Sequence, residues 1–557
     1  MTRSRLAVAA ALAGALAVTA CGANEQPQGG GQATATRGGT LRVLTEGQTV
    51  NFDPAKSGSL AVTSLALVHR RLTAWHNKPG EQAGVVPDLA DVGKTDDGGR
   101  TWTFTLQEGV KFSDGTPITS ADVKWGVERS FSPAFSGGLG YHKQLLEGGA
   151  DYRGPFEGAE LKGVETPDSR TVRFRLVRPY GDWPWVVSTP AFAPVPRGKG
   201  AEPDYAEHPV ASGPYQLAKY QKGVEAKLTR NPHWDQKTDQ VRAGLPDEVV
   251  FQLGQDASVV SQRLTADSGD DKSAFGASFV SAAQLAQLSG NPSAKQRVVT
   301  SKSGALAYLA LNTEKAPLDN PKVREAFQYA VDKTSFQIAS AGTAQLAGDV
   351  ATTLITEGIT GRKKFDLFPT PPAGDPEKAK RLLAEAGFPD GLPTLDFLVT
   401  KTNNAPEKAQ ALQASLARAG IKTTIRTLDG DAYTEETSVS PTAEFDLTLA
   451  SWQPDFPSAN ANIQPLFASS EIGGGGYNLS RYRNPEVDRL IDAAQATVDP
   501  AEAGAKWAAI DELVLRDSPV VPLIYTRNSF LHGSKVAGLF IADFPAYPNY
   551  LQVGLTP

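Results

Sequence analysis

Cysteine and methionine are almost missing from this chain of 557 residues: there is one of each, Cys21 and Met1. A single thiol forms no intrachain disulfide and no multi-cysteine zinc site, so the disulfide-scaffold class is excluded. Histidine is scarce too. The six are His69, His76, His142, His208, His233 and His532, with no His-x-x-His or HExxH spacing among them. No local metal motif is therefore present, and no cofactor is expected. Basic charge is not in excess: Lys+Arg 55 against Asp+Glu 61 leaves a formal charge of −6, which disfavours a nucleic-acid binder. After residue 20 no uncharged apolar stretch comes near the length of about 20 residues needed to span a bilayer, so a polytopic membrane protein is excluded. What remains is ordinary globular usage, 40% hydrophobic and 21% charged, sufficient for about three or four domain-sized units.

The one long apolar run opens the chain. Arg3 and Arg5 precede an apolar and small-residue stretch from Leu6 to Ala20, too short for a permanent membrane helix and suited to a signal-peptide core. It ends in Val18-Thr19-Ala20-Cys21-Gly22, which resembles the bacterial lipobox. The resemblance implies that the Cys21 thiol receives a diacylglyceryl group and becomes the new N-terminus. Acyl chains contribute about 0.8 kcal/mol per buried CH₂, so two or three of them hold a protein on a membrane surface. Residues 1–21 are thus expected to be a lipoprotein signal peptide. Residues 22–38 (GANEQPQGGGQATATRG) carry almost no large apolar side chains and are expected to be a flexible tether. The mature protein is expected outside the cytoplasm, lipid-anchored to the outer face of the cytoplasmic membrane.

Beyond Gly39 the pattern is mixed α and β. Residues 40–44, 101–106 and 171–177 alternate as strands, and Thr119 or Ser120 caps a helix. Further on, the strand at 308–312 is followed by a helix from Pro321, and another helix starts at Asp375-Pro376-Glu377 and stops at Gly387. Residues 395–399, 406–419 and 421–425 then read strand, helix, strand. Such alternation argues for an α/β lobe.

Several segments, in order, resemble one family. They are Trp102–Val123 (WTFTLQEGVKFSDGTPITSADV), Ala211-Ser212-Gly213-Pro214-Tyr215, Arg230-Asn231-Pro232-His233-Trp234 and Tyr308–Lys333. They continue with Asp375–Gly387, Ser451-Trp452-Gln453-Pro454-Asp455, residues 477–493 and Pro519-Val520-Val521-Pro522-Leu523. The ordered set is similar to the family 5 solute-binding proteins of bacterial ABC importers, the oligopeptide, dipeptide and nickel binders, over essentially the whole mature chain. The resemblance implies an α/β fold built as a two-lobed periplasmic-binding-protein-like clamp. Lobe I is expected over 39–303, with an inserted subdomain at about 80–205, and lobe II over 304–519. Residues 520–557 are expected to return to lobe I, with hinge crossings around Ser303-Gly304 and Pro519 to Pro522. Ligand would bind between the lobes, and hinge closure would present the loaded protein, a monomer, to an ABC permease and its ATPase subunits.

The same resemblance nominates residues. In peptide-binding members an Asp three residues after a Trp pairs with the ligand α-ammonium; Trp452 and Asp455 reproduce the spacing, with Trp452 as an apolar wall. A carboxylate in a water-poor cleft holds a cation through a charge-assisted bond. Dipeptide binders hold the ligand carboxylate with an Arg before the helix that here begins near Pro406; this chain offers Lys401, a point charge without the bidentate fork. Ser57-Gly58-Ser59 falls where relatives offer backbone and hydroxyl hydrogen bonds to a peptide. The Gly473–Gly476 run lacks a following Lys-Ser/Thr and reads as a floppy loop of lobe II. The expected function is capture of oligopeptides without catalysis. A second reading keeps the clamp and exchanges the ligand for an oligosaccharide, haem or a metal complex, with Trp183-Pro184-Trp185 as the aromatic candidate for a sugar. An extracytoplasmic hydrolase would need a nucleophile or carboxylate-pair signature, and none is found.

Overall fold

The computed structural model describes residues 34–557 apart from 136, 202–203, 289 and 403. The expected signal peptide, Cys21 and the greater part of the tether lie outside the described residues. The tether ends earlier than expected: Thr36 donates its N–H to the Leu555 carbonyl (2.9 Å) and Gly38 to that of Leu245 (2.9 Å), so paired backbone begins before residue 39. Among the described residues no helix is long and apolar enough to cross a membrane.

Two sheets organise the chain. The first has five strands, in the spatial order Ala274–Gly276, Thr40–Leu44, Glu248–Gln252, Glu225–Arg230, Tyr215–Gln221. The second has six, in the order Gly348–Val350, Val520–Thr526, Leu306–Leu311, Leu447–Trp452, Leu395–Thr400, Thr423–Leu428. Between the first strand of the chain and the rest of its sheet lies the inserted segment, with its own three-stranded sheet of Thr101–Thr105, Thr171–Arg175 and Val164–Glu165.

Local chemistry explains the elements. Four helices beside the second sheet begin at the same kind of dipeptide: Asn320-Pro321, Asp375-Pro376, Asn484-Pro485 and Asp499-Pro500. In each the Asn or Asp side chain accepts a first-turn backbone N–H at 2.8–3.0 Å, and the proline, lacking an N–H, costs nothing at the first helical position. In the inserted segment, Asp122 accepts from the Thr119 backbone N–H (2.8 Å) and starts the helix Ser120–Arg129. The strand Leu306–Leu311 is buried at every residue, because both faces of the sheet are covered by helices.

The second chain crossing is displaced from expectation. Val520–Thr526 pairs with Leu306–Leu311 and is part of the second sheet, so it is neither hinge nor part of a return to lobe I. Pro522 is accommodated opposite Tyr308 at a β-bulge, where the register shifts and the missing N–H breaks no ladder. The two crossings run side by side further along. Ser301 donates its N–H to the Asn528 carbonyl (2.9 Å), Thr526 donates to the Ala305 carbonyl (2.8 Å), and Val298–Thr300 pairs antiparallel with Ser529–Leu531. Beyond it, Val536, Leu539, Leu551, Val553 and Leu555 pack into the same core as Leu41, Val43, Phe251 and Phe275.

The core of the inserted segment, with Trp102, Phe104, Phe174 and Phe192, continues without a break into Phe456, Ile463, Leu466 and Trp507 beside the second sheet. This apolar seam holds the inserted segment and the second lobe against each other and sets the frame for the polar groups at their junction.

Candidate ligand-binding site

The strand Leu447–Trp452 delivers Trp452 to the carboxyl end of the second sheet, the edge at which open α/β sheets bind ligands. Trp452 is half-buried; its indole N–H donates to the Ala461 carbonyl (2.7 Å) and its ring lies against Tyr477 with centroids 4.8 Å apart. Three residues on, Asp455 is half-buried and accepts through Oδ2 from the Tyr141 hydroxyl (2.7 Å), a contact between residues 314 positions apart that joins the inserted segment to the second lobe. Tyr141 also packs edge-on against Phe456 (5.2 Å). Withdrawal from water pushes the Asp455 carboxyl above its ordinary value, the Tyr141 hydrogen bond opposing the rise. The Tyr141 hydroxyl is held well above its usual range by burial, by the adjoining Asp455 charge, and by Tyr180 and Glu471. Among the described residues no Lys, Arg or His lies within ion-pair distance of Asp455.

More polar contacts cross the same junction. The Ser458 hydroxyl donates to Asp182 (2.6 Å), the Asn460 amide donates to the Tyr180 hydroxyl (2.6 Å), and Gly181 donates its N–H to the Gln495 carbonyl (2.7 Å). Burial raises the Asp182 carboxyl, with the Ser458 and Asn460 hydrogen bonds pulling the other way. Gln453 contributes a buried carbonyl oxygen, Oε1, with no hydrogen-bond donor. The Asp455 carboxylate and the unpartnered Gln453 Oε1 are acceptors that N–H groups of a ligand can satisfy.

Ser57, Gly58 and Ser59 approach this region through a glycine loop. Gly138 lies so close to the Ala55 carbonyl that a Cβ on it would come within 2.5 Å of the oxygen, and the same loop leads directly into Tyr141. Ser57 is buried and accepts from the Ser59 N–H (3.1 Å). The Ser59 carbonyl accepts from Arg71 (3.2 Å), a buried guanidinium lowered to about 9 by burial and by repulsion from Arg242. The loop is thus rigidly held, with Gly58 exposed.

Lys401 follows the strand Leu395–Thr400. The parallel register Phe397↔Leu447 and Leu398↔Thr448 brings it level with Ser451 by the same offset, so it stands at the same sheet edge as Trp452. Its side chain is exposed and paired with Asp429 (3.2 Å). Trp183 is fully buried against Phe174 and Phe192 and forms core, not a sugar platform; Trp185 stacks edge-on with Trp75.

Sequence reasoning missed Tyr141, Asp182, Glu471 and Tyr477. The last two flank the Gly473–Gly476 run, which is no floppy loop. Gly474 and Gly475 donate to the Val439 and Ser438 carbonyls (2.9 Å each), and the first three glycines have positive φ. A Cβ on Gly476 would lie 2.2 Å from the Glu471 carbonyl oxygen. The glycines are the condition for a tight turn that sets Glu471 and Tyr477 on the site side of the lobe. A surface groove of about 440 Å³ lined by Pro317, Asp319, Asn320, Ala386 and Phe388 shares no residue with this junction.

The model of the bacterial extracellular solute-binding proteins, family 5 Middle, matches residues 84–474. The chain belongs to that family, the solute-binding components of ABC importers, whose members are binding proteins and not enzymes. It is 28% identical over 466 residues to the glutathione-binding protein GsiB of Salmonella paratyphi A, covering 81% of this chain and 83% of that one. The solved structure of clavulanic acid biosynthesis oligopeptide binding protein 2 superposes with a TM-score of 0.86 at 31% identity, covering 94% of this chain and 97% of the other. The fold is shared by DppA from Helicobacter pylori in complex with peptide STSA, at a TM-score of 0.70 and 23% identity, covering 94% and 99% of the two chains.

Proposed function

We propose that this protein captures oligopeptides between its two lobes and delivers them, as a monomeric lipid-anchored subunit, to an ABC permease and its ATPase subunits. The carrying observation is Asp455: a half-buried carboxylate at the junction, contacted by Tyr141 from the opposite lobe and matched by no cation among the described residues. A peptide α-ammonium supplies the missing charge and three N–H donors at once. Relatives named for binding glutathione and an oligopeptide support the ligand class. Ser57, Gly58 and Ser59 would meet the peptide backbone, Trp452 would wall the first side chain, and Lys401, freed from Asp429, would face the ligand carboxylate.

In this reading lobe I runs to about residue 303 and resumes near 527, lobe II lies between, and closure turns on the paired segments around Ser301 and Asn528. Lipidation of Cys21 would keep the clamp at the outer face of the cytoplasmic membrane, where two or more acyl chains anchor stably. The test is to denature the purified protein and identify by mass spectrometry the small molecules released. Peptides of a few residues are the expected result; a single sugar, haem or metal complex would retain the clamp and replace the ligand.

A further inference from the structure

Glu471 lies on the same short loop as Tyr477, whose ring closes over Trp452. Its side chain is half-buried, and the hydrogen bond described for it comes from the neutral amide of Gln464 to Oε1 (2.7 Å). No Lys, Arg or His pairs with it among the described residues, and desolvation pushes its carboxyl up. Its charge, with that of Asp455, helps to hold the Tyr141 hydroxyl above its usual range, and the Tyr141 hydroxyl donates to Asp455. Besides Asp182, which the Ser458 and Asn460 side chains hold, the junction presents two carboxylates without a counter-charge, Asp455 and Glu471, together with the orphaned Oε1 of Gln453 and two aromatic faces, Trp452 and Tyr477. One α-ammonium satisfies one carboxylate and leaves the second without a counter-charge. Aromatic faces beside a carboxylate suit an alkylammonium or guanidinium, whose stem packs on the rings while its head meets the acid.

Building on the reading of Asp455 as the ammonium partner, we infer that the site selects peptides whose first residue is Lys or Arg, Asp455 taking the α-ammonium and Glu471, a specificity-determining residue, taking the side-chain cation along Trp452 and Tyr477.

The test uses three peptides with the purified protein in a calorimeter: Lys-Ala-Ala, norleucine-Ala-Ala as its uncharged match, and N-acetyl-norleucine-Ala-Ala. Wild type is expected to prefer Lys-Ala-Ala over norleucine-Ala-Ala by roughly tenfold or more. Glu471→Gln, which keeps an oxygen for Gln464, is expected to erase that preference and to leave norleucine-Ala-Ala affinity within about twofold. Equal wild-type affinity for the first two peptides overturns the inference without any variant, and so does a preference that survives in Glu471→Gln. The acetylated peptide separates the two claims. If acetylation abolishes binding while lysine and norleucine are equivalent, only the role of Glu471 fails. If acetylation is without effect, or none of the three binds, the ammonium reading of Asp455 fails and this inference with it.

Discussion

The buried acids of the first lobe and those of the junction are handled in opposite ways. In the first lobe Asp88 and Asp239 are shared among guanidiniums: Arg242 donates to both oxygens of Asp88 (3.0 and 2.9 Å) and to Asp239, and Arg70 donates to Asp88 (2.7 Å). Arg129 forks onto both oxygens of Asp53 (2.6 and 3.0 Å). Burial alone would push Asp239 up, yet Arg242 and Arg70 hold it below its ordinary value. At the junction Asp455, Asp182 and Glu471 meet only hydroxyl and amide donors and are all pushed up. Both regions carry carboxylates away from bulk water; only one contains its counter-charges. A matched network serves the fold, and the unmatched one is what the proposed capture of an ammonium group calls for.

The contrast breaks most sharply at Arg242. Arg242→Met leaves Asp88 and Asp239 short of a partner in a fully buried place, and unfolding by denaturant should register a loss of about 3–5 kcal/mol. A loss under 1 kcal/mol, by the same reasoning, would mean the first-lobe network is not what holds that region.

Asp511 shows a third arrangement. It is buried and accepts from the backbone N–H groups of Leu354 (2.9 Å) and Ile355 (3.1 Å), and burial raises its carboxyl from 3.8 to about 6. Folding thus favours its protonated form. The stability this confers is fully present below the unfolded value and is lost as pH rises through about 6, a difference on the order of 2–3 kcal/mol. Asp511→Asn should flatten the pH dependence of the melting temperature across that window. An unchanged slope would show that Asp511 stays ionised.

At the junction the same kind of substitution should have little effect on the empty protein. Asp455→Asn keeps an acceptor for Tyr141 and removes an unmatched charge, so ligand-free stability is expected to change by less than about 1 kcal/mol or to rise. A large loss would place Asp455 with the structural acids. Smallest of all is Lys401→Ala: its exposed pair with Asp429 contributes below about 0.5 kcal/mol to stability. Its influence should appear only as reduced discrimination between a peptide and its C-terminal amide; unchanged discrimination would remove Lys401 from the ligand carboxylate.

The elements of the fold and part of the junction were legible in the sequence, and the exceptions have physical causes. Strands such as Thr101–Thr105 and helices opened by Asp375-Pro376 announce themselves through alternation and capping, which are local. Trp452 and Asp455 stood out by spacing on a resembled pattern. The family resemblance puts a hinge around Pro519 to Pro522, whereas these residues run into a strand of the second sheet and a bulge in the partner register absorbs Pro522. Tyr141 was invisible because its partner is 314 residues away. Glu471 and Tyr477 were hidden by the glycines between them, which look like slack and in fact form a fixed turn.

The most direct test of the account compares one tripeptide with its N-acetylated twin, by calorimetry, on the wild-type protein and on Asp455→Asn. Wild type should bind the free-amino form about 30-fold or more tightly than the acetylated one, since a desolvated charge pair is at stake. In Asp455→Asn the two should converge. If the variant instead weakens both peptides equally, Asp455 is not the partner of an ammonium group, and the unmatched carboxylates of the junction have some other meaning.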